Sequence, residues 1–297
     1  MNTKRHLLLF ALLLFLSANI YPQDSHGFVK EGLTIQSKIL GKDVRYTIYL
    51  PYDYETSNRF YPVVYMLHGF GDNDIGWIQF GEANMIADKG ISDMEIPPMI
   101  FVMPDGGVSW YMNNYDDSVR YEDFFSKEFI PYIEQHYRIL SEKRYRAILG
   151  LSMGGYGALV YALKHPDMFS SCVAFSAGVF TDEEIINMKD DEWKNLLGPV
   201  FDSGLKGKER ITEQFKDNDP LYLIKNSDIK KLKSVRYYLD CGDKDFLYKG
   251  NAALHVLLRD MNIPHECRMR DGAHTWSYWR SGLLNGLEFI GASFHQQ

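Results

Sequence analysis

Ser152 lies in the stretch "LGLSMGGYG" at positions 149–157, crowded by glycines and preceded by the apolar run "YRAIL". Residues 150–154, Gly-Leu-Ser-Met-Gly, fit G-x-S-x-G, the pattern of a nucleophile elbow, in which a sharp strand-to-helix turn lifts a serine hydroxyl above a sheet. Glycine at both ends of that pentapeptide removes the Cβ atoms that would collide there. A helix starting near Met153 would aim its free N–H groups at the reacting centre. A serine hydroxyl becomes an effective nucleophile when a base takes its proton, and histidine is the usual base. Of nine histidines, His274 in "RDGAHTWSYW" is the one expected on a loop after a strand and downstream of the serine. The acid that orients such a base is expected between the two. "YYLDCGDKDFLY" offers Asp240, Asp243 and Asp245. Asp245, past the turn glycine, is expected to take the role, with Asp240 as the alternative. Donors for a developing oxyanion are expected from the backbone N–H groups of Phe70, after His68-Gly69, and Met153. His68 is read as shaping that loop. "DNDIG" at 72–76 lacks the remaining ligand spacing of a calcium loop, so no metal is expected. The chemistry these residues support is acyl transfer through a covalent serine intermediate, and it calls for no cofactor.

The elements that would position these groups follow from the hydrophobic pattern. "LTIQSKIL" and "DVRYTIYLP" read as a strand pair turning at Gly41-Lys42. "PVVYMLHG", "PMIFVMPD", "YRAILG", "CVAFSAG", "VRYYLDCG" and "HECRMRDG" each read as short buried strands ending in Gly or Asp. Helical stretches lie between them, among them "YEDFFSKEFIPYIEQHY", "GALVYALKHP" and "NAALHVLLRDMN". This alternation predicts an α/β fold with a mainly parallel sheet covered on both faces. Ligands of such sheets bind beyond the carboxyl ends of the strands, where His68, Asp105, Ser152, Asp245 and His274 fall. Residues 179–233 interrupt the rhythm with a charged insert, read either as a solvated surface excursion or as a partial lid over the strand ends.

The chain opens with Lys4 and Arg5, an apolar run from Leu7 to Leu16, and a polar exit. That pattern predicts a signal peptide over residues 1–24 and an exported, periplasmic or extracellular domain over 25–297. No later segment is apolar enough to span a bilayer, so no membrane association is expected once the signal is removed. The formal charge of −7 and the absence of a Lys/Arg run argue against a nucleic-acid partner. Cys172, Cys241 and Cys267 are read as small buried hydrophobes, with a Cys241–Cys267 bridge open if their strands are neighbours.

Taken together, "YPVVYMLHGFGDNDIGW", "PDGGVSWYMNN", "LGLSMGGYGAL", "LDCGDKDF" and "DGAHTWSYW" resemble the "Putative esterase" family of α/β-hydrolases, over roughly residues 30–292. That family includes esterase D, feruloyl and acetylxylan esterases, siderophore-ester hydrolases and mycolyltransferases. The resemblance implies an α/β-hydrolase fold and a triad of Ser152, Asp245 and His274, with Phe70 and Met153 as oxyanion donors. With an export signal, it points to carbohydrate esterases of family one, acting on feruloyl or acetyl esters of plant polysaccharide such as xylan. An acylated oligo- or polysaccharide is then the expected partner. Siderophore-ester hydrolysis, acyl transfer to another acceptor and a non-catalytic carbohydrate-binding role are the alternatives. Trp110, Tyr111 and Trp276 are expected to stack on the sugar or the acyl ring.

Overall fold

A computed structural model describes residues 26–294; the expected signal peptide and His295 lie outside the described residues. Eight strands form one sheet: β1 (Phe28–Ser37), β2 (Lys42–Leu50), β3 (Val63–Leu67), β4 (Ile100–Pro104), β5 (Arg146–Leu151), β6 (Ser171–Phe175), β7 (Arg236–Gly242) and β8 (His265–Arg270). Their order is β1-β2-β4-β3-β5-β6-β7-β8. The run from β4 to β8 is parallel throughout, and the β1–β2 hairpin adds an antiparallel edge. The hairpin turns at Gly41, whose φ of 65° is a conformation glycine adopts without penalty.

Strands β3 to β6 are buried along their whole length and mostly apolar because both their faces are covered. Alternation still sorts their side chains. Val63, Tyr65 and Leu67 join the core under the helix Met153–Lys164, whereas Val64 and Met66 join the core under the helices Ala83–Ser92 and Trp276–Phe294. Strand β8 differs from its expected burial. It is the outer strand with a single neighbour, and its Arg and Glu side chains reach solvent, which blunts an otherwise sticky edge. Among the described residues, no helix is long and apolar enough to cross a membrane.

The insert is a chain of short helices with its own apolar centre: Trp193, Phe201, Phe215 and Leu232 are buried. Arg210 is fully buried there, bonded to Asp190 and to the carbonyls of Ile185 and Met188. The insert is tied to the rest of the domain by Trp110 Nε1–H to Leu196 O at 2.9 Å and Tyr156 O–H to Asn218 O at 2.8 Å.

All three cysteines are free thiols. The Cys241–Cys267 bridge is not formed: β7 and β8 are neighbours, but their register pairs Cys267 with Leu239 and Cys241 with Met269.

Candidate active site

Chain order reverses direction across the sheet between β3 and β5, since β4 lies beyond β3 and β6 beyond β5. A crevice opens at such a switch point, and Ser152 stands in it at the end of β5. Its backbone has φ 54° and ψ −120°, a conformation costly for any residue with a side chain. The close approach that glycine permits is literal here. A Cβ at Gly150 would lie 2.1 Å from Gly154 O, and one at Gly154 would lie 2.2 Å from Leu67 O. Strand, turn and helix are therefore in backbone contact around the serine.

His274 follows β8 on the loop before the helix Trp276–Phe294, and its Nε2 lies 2.9 Å from Ser152 Oγ. Its Nδ1 faces the carboxylate of Asp245, at 2.9 and 3.1 Å from the two oxygens. Asp245 sits past the end of β7 and also accepts the N–H of Leu247 at 2.9 Å. Burial pushes this carboxyl up, but hydrogen bonds from His274, Leu247 and Ser176 outweigh it and hold the group below the ordinary aspartate range. The structure thus brings Ser152, His274 and Asp245 into one hydrogen-bonded line.

Asp240, the alternative acid, is occupied elsewhere. Fully buried in β7, its carboxylate takes Arg270 Nε–H at 3.0 and 3.2 Å and the hydroxyls of Tyr278 and Tyr238. It anchors the edge strand and the final helix to the sheet.

The loop after β3 closes the other side. Gly69 is close enough that a Cβ there would lie 3.5 Å from Ser152 Cβ. Among the described residues, neither the Phe70 nor the Met153 N–H has an acceptor within the protein. Met153 is the first residue of a twelve-residue helix, so its N–H carries the positive end of the helix dipole. His68 is buried and uses both ring nitrogens: Nδ1–H donates to Gly69 O at 2.8 Å and Nε2 accepts Gly106 N–H at 2.8 Å. It props the loop, as its neighbouring glycine suggested.

The aromatic residues expected to meet a ligand divide. Tyr111 is buried against Gly106 and Gly157 and donates its hydroxyl to His68 O, so it has no face to offer. Trp110 is 3% exposed, sealed by Leu196 of the insert and by the edge contact with Tyr156. Both expectations are corrected: these rings support the loop on which they sit. Trp276 is half-buried, perpendicular to Trp77 and Trp279 at 5.4 Å from each. The accessible rings are others. Phe246 is 66% exposed and lies 4.5 Å from the His274 ring, while Phe70 and Phe80 are also exposed. Phe246 was in view in the sequence, directly after the acid, but nothing in its pattern separates an exposed phenylalanine from a core one.

A hydroxyl, an imidazole and a carboxylate in this order, facing two unpaired N–H groups, can move a proton off the serine as it attacks a carbonyl. Fold and site together are of the α/β-hydrolase class. The family model described as "Putative esterase" matches residues 37–290, and the chain belongs to that family. It is an esterase. Among curated relatives, Esterase Rv1288 of Mycobacterium tuberculosis is 37% identical over 264 residues, covering 81% of this chain and 54% of the relative. The chain thus spans about half the length of that relative. An endo-1,4-beta-xylanase/feruloyl esterase of Xylanibacter ruminicola is 33% identical over 172 residues, 56% of this chain and 24% of that protein. A solved ferulic acid esterase superposes with a TM-score of 0.78 at 32% identity, covering 91% of this chain and 99% of that one.

Proposed function

We propose that this protein is an exported carboxylesterase that removes feruloyl or acetyl groups from plant polysaccharide such as xylan, with Ser152, His274 and Asp245 as its triad. The observation that carries the reading is the unbroken line from Ser152 Oγ through His274 to Asp245, with 2.9 Å at each junction. In this mechanism Ser152 Oγ attacks the ester carbonyl while His274 Nε2 takes its proton. The oxyanion is met by Phe70 and Met153 N–H, each donor contributing on the order of 3 kcal/mol of transition-state stabilisation. His274 then hands the proton to the departing sugar oxygen, leaving an acyl-Ser152 ester. Water, deprotonated by the same imidazole, releases the acid. Asp245 holds the imidazole tautomer and balances its transient charge without taking the proton.

The choice of acyl group is supported by the feruloyl esterases among the relatives and by the exposed Phe70 and Phe246 beside the serine. A hydroxycinnamoyl ring laid on them buries apolar surface next to the reacting carbonyl, and that remote contact can orient the bond for attack. Export rests on the charged and apolar start of the chain.

Hydrolysis of feruloylated and acetylated xylo-oligosaccharides, measured against simple alkyl esters and a siderophore lactone, tests the reading. A higher kcat/KM on the sugar esters is expected, together with loss of all hydrolysis in Ser152→Ala. Preference for the lactone would reassign the substrate, and an active alanine variant would remove the mechanism.

A further inference from the structure

The segment "CVAFSAG", β6 with the turn after it, holds none of the reacting groups yet is bonded to all three elements that do. Ser152 donates its N–H to Phe175 O at 2.9 Å and accepts Gly178 N–H at 2.8 Å, so the turn brackets the nucleophile's backbone. Asn251, buried in the helix after Asp245, grips the same turn. Its Nδ2 donates to Ala177 O and to Leu247 O, both at 2.9 Å, and its Oδ1 accepts Ala177 N–H at 3.2 Å. Leu247 in turn is the residue whose N–H holds Asp245.

Ser176 makes the third link. It is fully buried, and its φ of 44° is a left-handed conformation rare for a residue with a side chain. Its N–H donates to Asp240 O at 2.7 Å. Its Oγ accepts the indole N–H of Trp279 at 3.0 Å. Trp279 stands perpendicular to the His274 ring, with centroids 4.9 Å apart, while Phe246 covers that ring at 4.5 Å.

We propose that Ser176 is a positioning residue for the reaction: its hydroxyl holds the Trp279 indole edge-on against the His274 imidazole, while its turn brackets the backbone of Ser152. The proposal rests on the triad reading above. A side chain kept in a costly backbone conformation requires surroundings that over-determine it, and here those surroundings are the three catalytic elements. An alanine would keep the backbone turn, so what the serine adds is the acceptor for the Trp279 indole.

The test compares the wild type, Ser176→Ala, Trp279→Phe and the double variant, all as the mature chain. Trp279→Phe keeps an aromatic ring toward His274 while removing the indole donor, so, paired with a thermal melt that reports the lost ring volume, it carries the test should the alanine variant not fold. With nitrophenyl acetate, each single change is expected to lower kcat about ten- to a hundredfold, as slight misplacement of reacting groups does, with KM unchanged. The double variant should be no worse than the more damaged single. The low-field proton resonance of His274 Nδ1–H should shift or broaden in both. Wild-type kcat in the variants, losses that multiply in the double, or an unmoved resonance would overturn the proposal. If the wild type hydrolysed no ester through Ser152, the fault would lie with the triad reading, and the resonance would still report whether Ser176 and Trp279 position the His274–Asp245 pair.

Discussion

The two acids of β7 and its following loop divide their work according to what reaches each carboxylate. Asp245 meets an imidazole, whereas Asp240 meets a guanidinium and two phenols. Asp245→Asn should therefore lower kcat on the order of 10⁴-fold, since the amide favours the wrong imidazole tautomer. Asp240→Ala should leave Arg270 without its buried partner and cost about 3 kcal/mol, the lower end for a broken buried pair because Arg270 can turn toward water. A thermal melt beside the kinetics separates the two, and the opposite pattern would exchange their roles. Asp245 is held below the ordinary aspartate range, so its carboxylate should stay charged at pH values where a free aspartate begins to protonate. Followed by NMR titration, it should protonate below about pH 4, and protonation above that would contradict its bonding to His274 and Leu247.

At the scale of elements, the site depends on how closely β5, the elbow and the helix Met153–Lys164 approach. Gly154→Ala would put a methyl group 2.2 Å from the carbonyl oxygen of Leu67, a backbone atom that cannot swing aside. The helix start must then move away from the sheet, carrying the Met153 N–H with it. A loss of about 3 kcal/mol in stability is expected, typical of severe overpacking, together with loss of hydrolysis. Gly71 has open space around it but a φ of 78°, so an alanine there should strain the loop without a collision. Stability and activity measured on both variants would show whether contact or conformation limits each turn.

At the scale of the whole molecule, an electrostatic liability lies far from the serine in sequence. Asp219 caps the helix Pro220–Asn226 inside the insert, accepting the N–H groups of Leu221 and Tyr222. Burial raises its carboxyl to about 7 against the pull of those two N–H groups. The folded state therefore holds a proton there that the unfolded chain has released, between about pH 4 and pH 7. Stability contributed by the protonated form is present below that window and declines as pH rises through it. Asp219→Asn keeps an oxygen acceptor for the cap and removes the charge. Its melting temperature should exceed the wild type's at pH 8, by the equivalent of roughly 1–3 kcal/mol, and should match it near pH 4. An asparagine variant less stable at pH 8 would mean that the charged cap is worth more than its burial costs.

What could be read in the chain was what depends on local pattern. Buried parallel strands are apolar without interruption, an elbow needs glycine at fixed spacings, and a catalytic histidine must stand on a loop at the strand ends. The fold class, Ser152, His274 and the preference for Asp245 all follow from such rules. The surroundings of a side chain follow from residues distant in sequence, and these only the tertiary structure decided. Asp240 and Asp245 are five positions apart and chemically identical, yet Arg270 and Tyr278 claim one while His274 claims the other. Trp110 and Tyr111 sit on a loop, as expected, but Leu196 of the insert and the glycines of two other segments close over them. Phe246 is left open beside the imidazole. Burial and partnership are properties of the packed chain, and no periodicity along it encodes which neighbour arrives from the other side.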